Sequence, residues 1–327
     1  MRIGFYVRNA FQVEQFRPFF KAIPGSFWVG KSQRRLGKCG VLKNEPTLTS
    51  RFFLGRTIEM KCDIILTQGG LPNIRKNKAV KYVGLQYSYA KGPYTFGTLY
   101  EGHDLVLAYG SYAARQFSKL TTSIPIGHPK FDKWVRGEFK REAEEEFKVL
   151  LDQSKKTVLY APTWGGLSSL PDWLDEIEGL SRFYNVIIKP HHNSIRDGQI
   201  LMRENGGAII LPDGDLFKLM SISDVVISDI SGAIFDAVLC EKPVVLVSRQ
   251  NIEDNFGKKL DNDSIEIYQR EEFGIIVSKK SELLDALKLA IRDGSKVSEA
   301  WRDDLFETEG NVLSRFKKTI TEFSEQN

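Results

Sequence analysis

Three turns in the second half of the 327-residue chain carry side chains able to hold a phosphate and react at it. In Ser223-Asp-Val-Val-Ile-Ser-Asp-Ile-Ser-Gly-Ala-Ile-Phe-Asp236 an apolar run ends at Ser228-Asp229, and Ser231-Gly232 then open a helix. The start of such a helix presents backbone N–H groups without intrahelical partners and the positive end of its dipole. The hydroxyls of Ser228 and Ser231 would add two donors, so the turn reads as a phosphate seat. Ser and Asp are equally ordinary helix caps, which is the purely structural reading of the same residues. The turn Pro162-Thr163-Trp164-Gly165-Gly166 offers a hydroxyl and an aromatic face to a base or sugar. Lys189-Pro190-His191-His192-Asn193 offers an imidazole, cationic or hydrogen-bonding, to charge developing at the phosphate. Asp236, one turn into the helix, is placed to bind ribose hydroxyls.

These turns can meet only if their strands lie parallel in one sheet, whose carboxyl ends share an edge. The pattern predicts that arrangement. Thr157 to Ala161, Asn185 to Pro190, Ala208 to Leu211, Val225 to Ile227, Val244 to Val247 and Gly274 to Val277 read as buried strands. Helices are predicted over Leu216 to Ile222, Gly232 to Cys240 and Ser281 to about Ile291. The first half alternates likewise, with strands at Ile3 to Val7, Phe27 to Gly30, Asp63 to Thr67, Tyr82 to Gln86 and Leu105 to Tyr109. Gln12 to Ile23 is an amphipathic helix with Val13, Phe16, Phe19 and Phe20 on its apolar side. The fold class is therefore α/β, with two doubly wound Rossmann-like domains and a cleft between them. The expected boundaries are 1–136 for the first domain, 137–156 for a charged helical connector, 157–297 for the second domain, and 298–327 for helices returning toward the first.

Composition narrows the class. A hydrophobic fraction of 42% is enough to fill two cores, and the three cysteines have neither close pairing nor metal-type spacing, which suits a reducing cytoplasm. No segment reads as a membrane span, and Met1-Arg-Ile-Gly-Phe-Tyr-Val7 reads as a core strand and not as a signal peptide. A soluble or peripheral protein is expected. The net charge of +4 hides a division: residues 1–136 hold 22 Lys and Arg against 7 Asp and Glu, a net of +15, and the remainder is acidic. Arg17, Lys21 and the cluster Lys31 to Lys38 suit an anionic membrane surface, with nucleic acid the less favoured partner.

Tyr160-Ala-Pro-Thr-Trp164, Lys189-Pro-His191 and Ser228-Asp-Ile-Ser-Gly-Ala-Ile-Phe-Asp236 together resemble the CDP-glycerol glycerophosphotransferase family of teichoic-acid and capsule synthesis. Ile126-Gly-His-Pro-Lys-Phe-Asp132 is similar to that family's segment between its halves. The resemblance implies a GT-B fold, an acceptor-binding N-terminal domain and a C-terminal domain that takes a CDP-linked polyol. It also implies release of CMP without a tightly bound metal or other cofactor. On it, His191 is the catalytic histidine, Ser231 and Gly232 the phosphate turn, and Thr163, Trp164, Lys189, Ser228 and Asp236 the other donor-binding residues. The first half departs from the pattern: where the family carries a histidine as candidate base, this chain has Tyr87, in Leu85-Gln-Tyr-Ser88. A phenol with a pKa near ~10 is a poor base at neutral pH. Tyr87 itself, His128, or His103 and Asp104 are the candidates to fill that role.

Asn9, Gln68, Gly69, Gln86 and His103 are expected on the acceptor side of the cleft. His192 should point away from His191 if the strand continues, and Asp215 reads as a helix cap more readily than as a metal ligand beside Asp213. No metal site is expected. A glycosyltransferase using a nucleotide sugar, or an enzyme like the UDP-GlcNAc 2-epimerases, remains the alternative on the same fold. A non-catalytic protein that binds membrane or nucleic acid is the third reading.

Overall fold

The computed structural model describes residues 1–49, 62–70, 80–196, 198, 207–249 and 263–325. The chain forms two compact units that are interleaved in sequence. One comprises Met1–Tyr87, Tyr94–Asp132 and Asp303–Asn327, and the other Ser88–Pro93 and Lys133–Arg302.

The first unit holds strands β1 (Ile3–Tyr6), β2 (Phe27–Gly30), β3 (Thr47–Thr49), β4 (Ile64–Gln68), β5 (Lys81–Leu85), β6 (Leu105–Ala108) and β7 (Ser123–Pro125). They make one parallel sheet in the order β3-β2-β1-β4-β5-β6-β7, with Phe5 beside Trp28 and Leu66. The order reverses between β1 and β4, so the turns after those two strands diverge to opposite faces of the sheet. Helix Ala10–Ala22 buries Val13, Phe16 and Phe19, as its apolar spacing predicts. Helix Val312–Glu325 packs on it, and the Phe316 ring stacks on Phe19 with centroids 4.0 Å apart.

The start of that last helix is held by the segment Ile126–Asp132. The Asp132 carboxylate accepts the backbone N–H groups of Val312 (2.9 Å) and Leu313 (3.1 Å), as a capping side chain does. Arg315 donates to the carbonyls of Ile126 (2.9 Å) and Glu307 (3.0 Å). Gly127 has φ +91°, and a Cβ there would lie 2.6 Å from the Glu307 carbonyl oxygen, so this close approach requires glycine.

The second unit holds β8 (Thr157–Tyr160), β9 (Asn185–Ile188), β10 (Ile209–Ile210), β11 (Val225–Ser228), β12 (Val244–Val247) and β13 (Ile275–Val277), parallel in the order β10-β9-β8-β11-β12-β13. Helices Leu170–Gly179 and Leu283–Asp293 cover one face, burying Trp173, Ile177, Leu283 and Leu287. Helix Ala233–Leu239, apolar on most sides, is buried at Ile234, Phe235, Val238 and Leu239. This two-sided cover is why β11 and β12 read as unbroken apolar runs. The order reverses between β8 and β11, which puts the turns after Tyr160 and Ser228 at the topological switch point.

Three elements refine the expected pattern. The charged helix is Glu138–Phe147, and Phe139, Ala143 and Phe147 form a narrow buried stripe at i, i+4 and i+8, with Phe139 against Phe217. The C-terminal stretch is two helices, Glu299–Leu305 and Val312–Glu325, separated by a turn in which Gly310 has φ +67°. The short edge strand β7 was not visible in the sequence, because it ends in Pro125, which only an edge tolerates. No described helix is long and apolar enough to cross a membrane.

Candidate functional site

The carboxyl ends of β8, β9 and β11 lie at one level, since Tyr160 pairs with both Ile188 and Ile227. The feature that fixes the loops beyond them is Asp229, which is only 2% exposed. Its Oδ1 accepts the N–H groups of Thr163 (2.8 Å) and Ile230 (2.7 Å), and its Oδ2 accepts the N–H and the hydroxyl of Ser169 (both 2.9 Å). The Ser169 hydroxyl donates its one proton there, so the Tyr160 phenol, 2.7 Å away, is the donor to Ser169 Oγ. Burial pushes the Asp229 pKa up, opposed by these hydrogen bonds. Burial first, and then the Asp229 charge, push Tyr160 well above its ordinary value and keep it the donor. Arg270 donates to the main-chain carbonyls of Asp229 and Val247, which holds the β11 turn against the end of β12.

On this frame Trp164 and His191 meet. Their rings stack with centroids 5.7 Å apart at 20°. His191 Nδ1 accepts the Asn193 N–H at 3.2 Å, so the neutral ring carries its proton on Nε2. His192 does not point away: Pro190 stops the strand, His192 opens the helix His192–Arg196, and its ring stacks on His191 at 4.2 Å. Lys189 Nζ donates to the Pro212 carbonyl at 2.7 Å, which ties the end of β9 to the turn after β10.

At the β11 turn the backbone N–H groups of Ser231 and Gly232 have no hydrogen-bond partner among the described residues. The Ser231 hydroxyl accepts from Ala233 N–H at 3.3 Å, and Asp236 sits half-buried in the first helical turn. The reason for Gly232 is a close approach: a Cβ there would lie 2.6 Å from Ser88 Oγ. Ser228 differs from expectation. It is fully buried and its hydroxyl donates to the Ala161 carbonyl (2.7 Å), so it joins β11 to β8 instead of facing a phosphate.

In the first unit the expected acceptor residues divide into two groups. Asn9 is exposed at the start of helix Ala10–Ala22, and Gly69 turns the chain with φ +96°. Gln68 and Gln86 are buried: Gln68 Nε2 donates to Gln15 Oε1 (2.7 Å) and the Gln86 carbonyl (3.0 Å), and Gln86 Oε1 accepts from Tyr109 N–H (2.7 Å). These amides hold the ends of β4, β5 and β6 together instead of lining a surface. His103 is likewise buried, Nδ1 on the Tyr100 carbonyl (3.0 Å) and Nε2 on Thr67 Oγ1 (2.7 Å). Asp104 caps the sheet through Tyr82 N–H (2.7 Å). His128 is a buried turn residue, its Nδ1 accepting Lys130 N–H at 3.2 Å and its ring edge-on to Tyr109. Burial, followed by the Lys130 charge, drives its pKa well down. Tyr87, by contrast, is 40% exposed with its ring on Phe11. Asp215 caps helix Leu216–Ser221 by accepting from Phe217 N–H at 2.9 Å. Among the described residues no group of three or more His, Cys, Asp or Glu could hold a metal.

Asp229, Ser169 and Arg270 are the residues that sequence reasoning passed over. The available signal was an acidic residue ending a fully apolar strand with no basic neighbour in sequence.

Residues 109–309 match the family model described as CDP-Glycerol:Poly(glycerophosphate) glycerophosphotransferase. The teichoic acid ribitol-phosphate polymerase TarL of Staphylococcus aureus (strain NCTC 8325 / PS 47) is 24% identical over 197 residues, covering 57% of this chain and 34% of TarL. The chain thus spans about a third of the length of that curated relative. Among solved structures, the wall teichoic acid polymerase TagF superposes with a TM-score of 0.70 at 17% identity, over 99% of this chain and 89% of that one. UDP-GlcNAc 2-epimerase from Neisseria meningitidis, bound to UDP-GlcNAc, superposes with a TM-score of 0.60 at 12% identity over the whole of both chains. The two doubly wound parallel-sheet units are of this GT-B-like class.

Proposed function

Because the chain belongs to the CDP-glycerol:poly(glycerophosphate) glycerophosphotransferase family, we propose that it transfers a polyol phosphate from a CDP-linked donor to a hydroxyl of a cell-surface glycan or lipid-linked precursor. The polyol is glycerol or ribitol. The second unit takes the donor and the first unit the acceptor. The observation that carries this reading to the chain's own residues is the Trp164–His191 stack, on turns that share the sheet edge with the β11 turn, whose Ser231 and Gly232 N–H groups have no partner among the described residues. A variant of TagF has been solved after soaking with CDPG, which suits a CDP-linked donor here. In this reading Ser231 and Gly232 N–H groups hold donor phosphate oxygens, Trp164 meets the base or sugar, and Asp236 meets the ribose. His191 Nε2–H donates to the phosphoryl oxygen as charge builds on it.

Transfer of a sugar from a nucleotide sugar is the second reading, and one observation favours it. The histidines of the first unit, His103 and His128, are both buried and internally bonded, and Tyr87 stands where the family resemblance places a base. Retaining sugar transfer needs no strong protein base. A thermal-shift panel of CDP-glycerol, CDP-ribitol, CMP, UDP, UDP-GlcNAc and GDP separates the readings. At a ligand concentration 100 times the dissociation constant the native state gains about 2.7 kcal/mol. Cytidine compounds should raise the melting temperature most; a uridine or guanosine preference would overturn polyol-phosphate transfer.

The acceptor chemistry also suits a protein working peripherally on the cytoplasmic, anionic face of the membrane. Lys31, Arg34, Arg35 and Lys38 are exposed on and beside helix Gln33–Lys38, and Leu42 is exposed nearby. The Arg17 guanidinium is already engaged by Glu45 (2.7 Å) and the Gly40 carbonyl, so its charge is partly spent within the unit. Sedimentation with anionic vesicles should exceed that with neutral ones and weaken as salt rises. Equal sedimentation with both at low salt would count against a membrane-facing role.

A further inference from the structure

After β5 the chain leaves the first unit for six residues, Ser88–Pro93, which belong to the second unit. This excursion is clamped at several points. Lys91 N–H donates to the buried Glu266 carboxylate (2.7 Å), and Gly92 N–H donates to the buried Ser264 hydroxyl (3.0 Å). Tyr89 is buried with its ring 5.2 Å from Phe235, and Ser88 Oγ comes up against Gly232 while accepting Ala90 N–H. These clamps hold Lys91 at φ +60°, one of two non-glycine residues with positive φ among those described. Backbone strain of this kind persists where surrounding contacts over-determine it, and it concentrates at functional sites. The strained turn puts the Lys91 ammonium 5.8 Å from the centroid of the Trp164 ring, the ring that stacks on His191.

We propose that Lys91 is a donor-binding and catalytic residue that meets the nucleotide's diphosphate at the Trp164–His191 stack. The inference rests on the proposed nucleotide-dependent transfer. In that reaction the acceptor oxygen attacks the phosphorus bearing the polyol, and its proton passes to a base or to solvent. The bond from that phosphorus to the bridging oxygen breaks with its electron pair remaining on oxygen, and CMP leaves with one more negative charge on its phosphate. A lysine ammonium at that phosphate neutralises the charge as it forms, and it binds the product for the same reason. Cation–π contact with Trp164 keeps the ammonium at the ring before substrate arrives.

The test uses the full chain and three variants, Lys91→Gln, Lys91→Arg and Lys91→Gly, with CDP-glycerol, CMP and UDP titrated by calorimetry and turnover followed by CMP release. Lys91→Gln should weaken CMP and CDP-glycerol binding about ten-fold or more and lower kcat further, and Lys91→Arg should restore most of both. Lys91→Gly should lose binding to the same degree with a melting temperature equal to or above that of the native chain, since glycine is at ease at positive φ. A lysine that only shaped the loop would show the opposite pattern. Native affinity and turnover in Lys91→Gln overturn this inference while leaving the transfer reaction standing. If the native chain prefers UDP, polyol-phosphate transfer fails, and the same loss measured with UDP still upholds Lys91. Failure of the native chain to bind any of the three overturns both.

Discussion

Replacing His191 by alanine should lower turnover by about 100-fold or more while changing nucleotide affinity far less, the pattern of an interaction made chiefly in the transition state. The geometry says which atom matters. Nδ1 is occupied by the Asn193 N–H, so the neutral ring has only Nε2–H to give to a phosphoryl oxygen. The ring also stacks on Trp164 and His192, so alanine would remove packing along with the donor. His191→Phe keeps an aromatic ring in the stack and lacks the N–H, and it should be as inactive as alanine. Single-turnover release of CMP, measured beside CDP-glycerol affinity, checks both variants. Full turnover in folded His191→Phe would reduce the histidine to a packing residue and move the chemistry elsewhere.

Asp229→Ala should destabilise the second unit by about 3 kcal/mol or more, because it leaves two buried N–H groups, the half-buried Ile230 N–H and a buried hydroxyl without their acceptor. Asparagine should not rescue it. Each carboxylate oxygen accepts two donors, so the amide NH₂ would face N–H groups whichever way it turned. Loss of the Thr163 anchor frees the Trp164 turn, so nucleotide binding should fall as well. The pH dependence has a definite sign. Burial raises the native pKa of Asp229 above its unfolded value, so the native state holds this proton more tightly. Its contribution is fully present below the ordinary carboxylate pKa and declines as pH rises from there through the raised native value. Asp229→Asn should remove that downward slope from a stability profile measured by denaturant unfolding. A variant within about 0.5 kcal/mol of the native chain would mean that the four bonds are dispensable, since such losses are typical of surface changes.

Much of this site was legible in the sequence because buried parallel strands leave a plain record. β8, β9, β11 and β12 are covered on both faces, so each appears as an unbroken apolar run ended by a polar turn, and the turns must share an edge. Side-chain partners were not legible. Asp229 reads as a strand end until Thr163 and Ser169, 60 or more positions earlier, are seen donating to it. Ser228 reads as a phosphate donor until its hydroxyl is found on Ala161. His192 departs from the expectation because strand alternation does not run two residues past Pro190, to the position where the helix begins. Lys91 gave no signal at all, since its clamps lie more than 170 positions away, at Ser264 and Glu266. Periodicity records which face is buried, and contacts across the chain leave no period.

The capping of helix Val312–Glu325 by Asp132 has a consequence for the order in which the molecule can be made. On the ribosome, β1 to β7 emerge first, yet the helix that covers Phe19 with Phe316 is the last described element to appear. Until then Ile126–Asp132 has nothing to cap, and Phe19 on helix Ala10–Ala22 lacks the ring that stacks on it. Residues 133–302, by contrast, can assemble as soon as they are exposed, needing from upstream only Ser88–Pro93, already synthesised. The half that begins first is therefore finished last, and a nascent chain stalled before Val312 would display Phe19 as a binding surface for chaperones.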